Sequence, residues 1–339
     1  MAATGCCAPT PRETTSASPS ASSSPSPSYA GPPKRASGET SLASDRCVEF
    51  DHDLVLIDAG EFQMGCKRRD GAAIDGESPV RTVQLPAFLI DRYAVSNERF
   101  ARFVTATGHQ TEAQRVGWSF VFAGLLPDDF EPTAGVAAAP WWRQVLGADW
   151  AHPDGPQSNL SGREHWPVVH VSHADALAFC AWSDTRLPSE AEWEKAARGG
   201  ANGLRYPWGD EETLQGRYRC NVWQGVFPSR NDELGGHYGL APVDTYEPNA
   251  YGLYNMAGNC WEWCADWFDA RWHCEQLCLS DSKVLIAPKG PPAGVHRVMR
   301  GGSYLCHPSY CWRYRNAARS ASAPNSSAGH IGFRCARNV

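Results

Sequence analysis

Cys306 and Cys311 stand five residues apart in the stretch Arg300-Gly301-Gly302-Ser303-Tyr304-Leu305-Cys306-His307-Pro308-Ser309-Tyr310-Cys311. The flanking chain is rich in glycine and hydroxyl residues, and Arg313, Arg315 and Arg319 follow it. Cations beside a thiol favour the thiolate, the form that attacks electrophiles and binds soft metals. Two thiolates alone suit Cu(I), whereas zinc normally takes four ligands. The same spacing is equally open to a structural or redox disulfide. A second group, Cys260-x₃-Cys264-x₉-Cys274-x₃-Cys278, has a spacing loosely like a zinc ribbon. Separate buried thiols or a local disulfide are the stronger readings there. Just ahead of it runs Asn255-Met256-Ala257-Gly258-Asn259-Cys260-Trp261-Glu262. Amide and carboxylate oxygens, with carbonyls freed by a tight glycine turn, are a set that Ca²⁺ can use, since it takes six to eight oxygens. An ordinary turn is the simpler reading. His165, His170 and His173 flank Pro167 and a strand-like Val168-Val169 that points them in different directions, so structural or solvent-facing roles are expected. Glu190, Glu192 and Glu194 read as the cap and solvated face of a helix.

These residues need elements to hold them. Leu54–Ile57 and Gly60–Met64 alternate as short strands, and Val80–Ile90 alternates loosely as one half-buried strand. Ser96 is an N-cap for a helix with Phe100, Phe103 and Val104 on one face, closed by Gly108. Ser172 with Asp175 starts a second helix, turning Ala176, Phe179 and Trp182 inward. Ser189 with Glu192 forms a capping box for a third, which Gly199-Gly200 closes. Beyond Gly200 the chain reads as turns, aromatics and short strands. Its tryptophans suit packing under long loops.

The chain has 339 residues, 42% of them apolar, enough for one sizeable core. A net charge of −6 with no basic run argues against nucleic acid as the main partner. No apolar run approaches the length that spans a bilayer, so no membrane helix is expected. Residues 1–40 are dominated by Ser, Pro, Ala and Thr and contain no Leu, Ile, Val, Phe or Trp. Such a segment cannot offset its ordering entropy, so a disordered tail over 1–46 and one α+β, loop-rich domain over 47–339 are expected. Cys6 and Cys7 in the tail read as incidental. Without an apolar leader stretch, a cytoplasmic location is expected. No phosphate-cradling glycine loop and no H-E-x-x-H motif is present.

From Leu54 to Arg337 the chain resembles the formylglycine-generating enzymes, also called sulfatase-modifying factors. The resemblance rests on GEFQMG (60–65), DRYAVSN (91–97), WPVVHVS (166–172), RLPSEAEWEKAARGG (186–200), YPWGD (206–210), NVWQGVFP (221–228), YGLYNMAGNCWEW (251–263), GGSYLCHPSYC (301–311) and GFRCAR (332–337). It implies a C-type-lectin-like fold and an oxidoreductase acting on a sulfur group with O₂ as acceptor. The substrate would be a cysteine within Cys-x-Pro-x-Arg of an unfolded or nascent sulfatase, converted to Cα-formylglycine while a thiol reductant supplies the remaining electrons. By the same resemblance Cys306 and Cys311 hold Cu(I), and Ser303 and Trp261 line the oxygen pocket. Tyr310 and the arginines after it border the substrate groove. One Ca²⁺ site would use Asn255, Gly258, Cys260 and Glu262. A second would use Asn221, Val222 and His237, but Gly235 falls where the family has an acid, leaving Asp232 or Glu233 to compensate. Cys180 and Cys335 match a disulfide of some relatives, or buried thiols in a reducing cytosol. The alternative is a non-catalytic module on the same fold that binds a peptide or partner protein. A sulfoxide synthase on this fold would need a further His-bearing helical domain, for which residues 1–53 are too short and polar.

Overall fold

Short alternating segments pair into small sheets because none is long enough to bury a face alone. The computed structural model describes residues 53–67, 71 and 73–339, so the expected tail over 1–46, Cys6, Cys7 and the boundary at 47 lie outside the described residues. Strand Leu54–Ile57 pairs antiparallel with Phe88–Asp91, whose other edge takes Ala336–Asn338. Strand Gly60–Met64 pairs with Arg81–Leu85, and Val284–Ile286 adds to that strand in parallel. The expected single strand over Val80–Ile90 is thus two strands in two sheets. Pro86 lies between them; it has no amide proton to offer a ladder.

A four-stranded sheet carries the chemistry-bearing segments. Its order is Ser320–Ser322, Arg297–Arg300, Trp261–Trp267 and Ile331–Gly332, the last pair parallel. A further sheet sets Trp118–Phe122 against Ala139–Leu146.

The helices begin where side chains cap them. Ser96 accepts from the Arg99 amide ahead of Asn97–Thr107, which ends at Gly108 in the left-handed region. Ser172 with Asp175, and Ser189 with Glu192, form complete capping boxes for His173–Trp182 and Glu190–Ala197. Two helices were not expected. Glu112–Val116 has its own capping box from Thr111 and Gln114, and Trp272–Leu279 starts with no side-chain cap. Of the tryptophans beyond Gly200, Trp223, Trp261 and Trp263 are fully buried while Trp208, Trp267, Trp272 and Trp312 are half-buried; Trp142 and Trp193 are fully buried as well. Trp142, Trp223, Trp261 and Trp263 belong to the larger core cluster, Trp193 to the one beside it.

His170 is buried, with Nδ1 2.7 Å from Ser119 Oγ and Nε2 2.8 Å from the Pro153 carbonyl. His173 is buried against the Cys264 carbonyl. Burial lowers the pKa of each to about 4, so both are neutral structural groups near neutral pH.

Candidate active site

The strand Arg297–Arg300 runs into Gly301 and Gly302, with φ of +95° and +78°. A Cβ on Gly302 would sit 2.9 Å from Tyr314 Cβ, so the turn requires glycine both for its conformation and for its space. The chain then closes on itself. Ser303 accepts the Cys306 amide through its carbonyl at 2.9 Å, and its own amide lies 3.3 Å from Cys306 Sγ. The His307 carbonyl accepts the amides of both Tyr310 and Cys311, bending Cys311 back. The result is Cys306 Sγ 3.3 Å from Cys311 Sγ, both side chains buried. A disulfide is about 2.03–2.05 Å, so these are two facing thiols.

Around them is a cavity of about 10 Å³ lined by Trp141, Trp142, Trp261, Ser303, Leu305, Cys306, Tyr310, Cys311 and His330. That is room for about one water-sized molecule. All four residues expected at the centre, Cys306, Cys311, Ser303 and Trp261, meet there. Trp141, Trp142 and His330 were not anticipated. The His330 ring packs edge-on to Trp142 at 4.4 Å, and its carbonyl accepts the Trp261 amide. At the rim Tyr310 stacks on Phe227 at 4.5 Å, and Trp141 meets both edge-on. The lining brings two sulfurs and one imidazole, with the hydroxyls of Ser303 and Tyr310 and no carboxylate, and the paired sulfurs fit Cu(I) rather than a hard cation.

The arginines after Cys311 are not a free cationic border. Arg313 forks onto Asp75, Arg315 onto Glu77 and Arg319 onto Glu190. Arg313 approaches the thiols, with Nη1 3.8 Å from Cys311 Sγ. Nor are Glu190 and Glu194 a solvated helix face. Both are buried in ion pairs with Arg319, Arg300 and Arg198, and Glu192 pairs with Arg186. Burial works to raise the Glu190 pKa, but Arg319, His273 and Arg300 outweigh it and hold the carboxyl well below the usual range. This buried frame anchors Arg300 directly ahead of Gly301.

At the expected calcium turn, Asn255 has φ +50° and its amide Nδ2 donates to the carbonyls of Pro242 and Val243. Its Oδ1 is buried with no hydrogen-bond partner. An orphaned hard oxygen is what a Ca²⁺ ligand looks like before its ion, so this turn fits the cation. Glu262 is committed to Arg334 through both oxygens and to Trp193 Nε1 through one, leaving Oε1 with a single bond. Gly258 and Cys260 stay on the same turn, and Gly258 bridges to Asn221.

At the second expected site Gly235 supplies no acid. Gly235 donates its amide to Gln224 Oε1 and accepts from Tyr246 Oη, and a Cβ there would meet both side chains at 2.9 Å. Asn221 spends its amide on Gly239 and Asn259, and Asp232 pairs with Arg230. Val222 is buried, and burial lowers the pKa of the half-buried His237. Of the two acids expected to compensate for Gly235, Asp232 is thus paired, and Glu233 lies within electrostatic reach of His237.

Cys260 and Cys264 are buried in different core clusters, Cys274 is half-buried and Cys278 exposed. Among the described residues no three His, Cys, Asp or Glu side chains converge, which removes the zinc-ribbon reading. Cys180 Sγ and Cys335 Sγ lie 3.7 Å apart as buried thiols.

Fold and site together define a loop-rich α+β domain closed over a buried dithiol pocket. The sulfatase-modifying factor enzyme 1-like domain matches residues 39–339, and the chain belongs to that family. It is 54% identical over 289 residues to the formylglycine-generating enzyme of Thermomonospora curvata, covering 85% of this chain and 94% of that one. To the Streptomyces coelicolor enzyme of that name it is 52% identical, covering 84% and 89%. It is also 39% identical to the inactive Cα-formylglycine-generating enzyme 2 of Bos taurus, covering 87% and 93%. The structure of PvdO from Pseudomonas aeruginosa shares the fold, with TM-score 0.59 at 24% identity over 84% of this chain and 94% of that one.

Proposed function

We propose that this chain is a formylglycine-generating oxidase acting on a Cys-x-Pro-x-Arg segment of an unfolded sulfatase. The observation that carries the reading is the pair of buried thiols, 3.3 Å apart, on the floor of a cavity sized for one small molecule. Cys306 and Cys311 would hold Cu(I), and that ion supplies one-electron chemistry towards O₂ when bound. The substrate CH₂–SH is oxidised to a thioaldehyde that water hydrolyses to CHO and H₂S, and O₂ ends as two waters. Substrate supplies two of the four electrons that reduce O₂; two reductant thiols supply the others and become a disulfide.

The protein's own residues do the positioning. Ser303 holds Cys306 by its backbone, its carbonyl accepting the Cys306 amide and its amide donating to the Cys306 sulfur, fixing the floor. Trp261, Trp142 and His330 wall the cavity against bulk water. A dry wall keeps a reactive oxygen species from being quenched before it meets the substrate Cβ. Tyr310, Phe227 and Trp141 present flat apolar faces where a proline-containing peptide would arrive. Calcium at Asn255 would act as a structural brace below Trp261. Cys180 and Cys335 would close to a disulfide only where the surroundings are oxidising.

The test is a Cu(I)-loaded protein given a Cys-x-Pro-x-Arg peptide, O₂ and dithiothreitol, with peptide mass read over time. Aldehyde should form with wild type and be lost in Cys306→Ser and Cys311→Ser, whose circular dichroism should match wild type. The kinship to an inactive enzyme favours a second reading, a peptide-binding module. Full binding of the peptide with no aldehyde, copper present, would decide for that module.

A further inference from the structure

Three buried arginines of this protein share one arrangement. Arg198 turns its Nε–Nη2 edge onto Glu194, Arg319 onto Glu190 and Arg334 onto Glu262, each with two donors on one carboxylate. Arg81 breaks it. Its side chain is 2% exposed, Nη1 donates to the Pro79 carbonyl, and Nε and Nη2 are buried with no hydrogen-bond partner. The empty edge is the one its neighbours use to grip a carboxylate. We propose that the Nε–Nη2 edge of Arg81 is a buried anion site that takes one small monovalent anion, of halide or formate size.

The local charge calls for it. Four buried guanidiniums (Arg81, Arg198, Arg300, Arg319) share the carboxylates Glu190 and Glu194, with Asp266 beside Glu190 as a third. Arg198, Arg300 and Arg319 each pair with Glu190 or Glu194, and Arg81 is the one of the four without an ion pair to either. An uncompensated buried charge and two unmade hydrogen bonds are each costly, and an anion on that edge removes both costs. Burial first, then Arg319, lowers the Arg81 pKa to about 10, still charged at neutral pH. A cavity lies next to it, on the Nη1 side. Gly65, whose added Cβ would lie 3.3 Å from Arg81 Nη1, lines a cavity of about 430 Å³ with Val80, Arg198 and Arg315. Arg300 belongs to the same cluster and leads into Gly301, so the anion would complete the frame beneath the thiol loop.

The experiment compares thermal unfolding of the intact protein in potassium bromide and in potassium gluconate at equal ionic strength, with Arg81→Met alongside. Gluconate is too large for a closed site. Wild type should gain about 5 °C in bromide, saturably, while the variant melts at one temperature in both salts. Potassium formate as a third arm separates a two-oxygen ligand from a spherical one; a gain in either supports the site. Crystals soaked in bromide should show an anomalous peak beside Arg81 Nε, a readout that stands even if Arg81→Met does not fold. Equal melting of wild type in all three salts overturns the proposal. So does a bromide gain that survives in Arg81→Met, or an anomalous map with no peak at that edge.

Discussion

Replacing Glu190 by Gln tests whether the thiol loop rests on the buried ion-pair frame. Glu190 is 1% exposed and accepts Arg319 Nε at 2.5 Å, Arg319 Nη2 at 2.8 Å, Arg300 Nη1 at 3.2 Å and His273 Nε2 at 3.2 Å. Glutamine keeps the shape and removes the charge. Arg300 retains Glu194, but Arg319 is left buried with no carboxylate on its edge. Breaking a buried pair from one side costs about 3–5 kcal/mol. At about 2–4 °C per kcal/mol for a domain of this order, the melting temperature should fall by roughly 6–20 °C. Urea unfolding of both proteins measures the loss directly. The pH dependence adds a second check. The folded pKa of Glu190 lies well below its ordinary 4.5, so its contribution is complete above 4.5 and is lost only as pH falls through the depressed value. The gap between wild type and Glu190→Gln should therefore stay constant from about pH 8 to 5 and close in stronger acid. A loss under about 1 kcal/mol at pH 7 would refute the view that this frame carries the loop.

Other consequences can be measured independently. His170 and His173 have folded pKa values near 4 against 6.5, so stability should drop as pH falls from about 6.5 to 4, by up to roughly 3 kcal/mol for each. A flat stability curve over that interval would count against their buried neutral state. Gly302→Ala faces a positive φ and a 2.9 Å approach to Tyr314, and should cost about 2–3 kcal/mol with loss of peptide oxidation. Calorimetry should find a single Ca²⁺ site, and Asn255→Gly, which keeps the backbone conformation, should abolish the thermal gain from calcium. Two bound ions would show that the Gly235 region still accepts one.

What could be read from the chain was local. Ser96, Ser172 and Ser189 cap helices through bonds that span three residues, and Cys306 and Cys311 sit on one turn, so their pairing needs no long-range folding. Trp272–Leu279 escaped notice because Arg271 gives no capping bond. Thr111 with Gln114 carries the same three-residue capping signal, on a helix of a single turn. Trp141, Trp142 and His330 reach the thiols only through pairing of distant segments. Their types advertise packing as readily as a site. The inward turn of Arg315, Arg319, Glu190 and Glu194 was illegible for a similar reason: charged residues look solvated until their partners, far off in sequence, are known.

The depth of the cysteine pair also governs how the protein can be handled. Cys306 and Cys311 are 1% and 2% exposed behind tryptophan walls, whereas Cys278 lies open on its helix. Bulky maleimides should modify Cys278 while leaving the pocket thiols intact. A fluorophore, a surface or a carrier could then be attached at Cys278 without poisoning the enzyme, and the progress of labelling at the buried pair would report when the pocket opens.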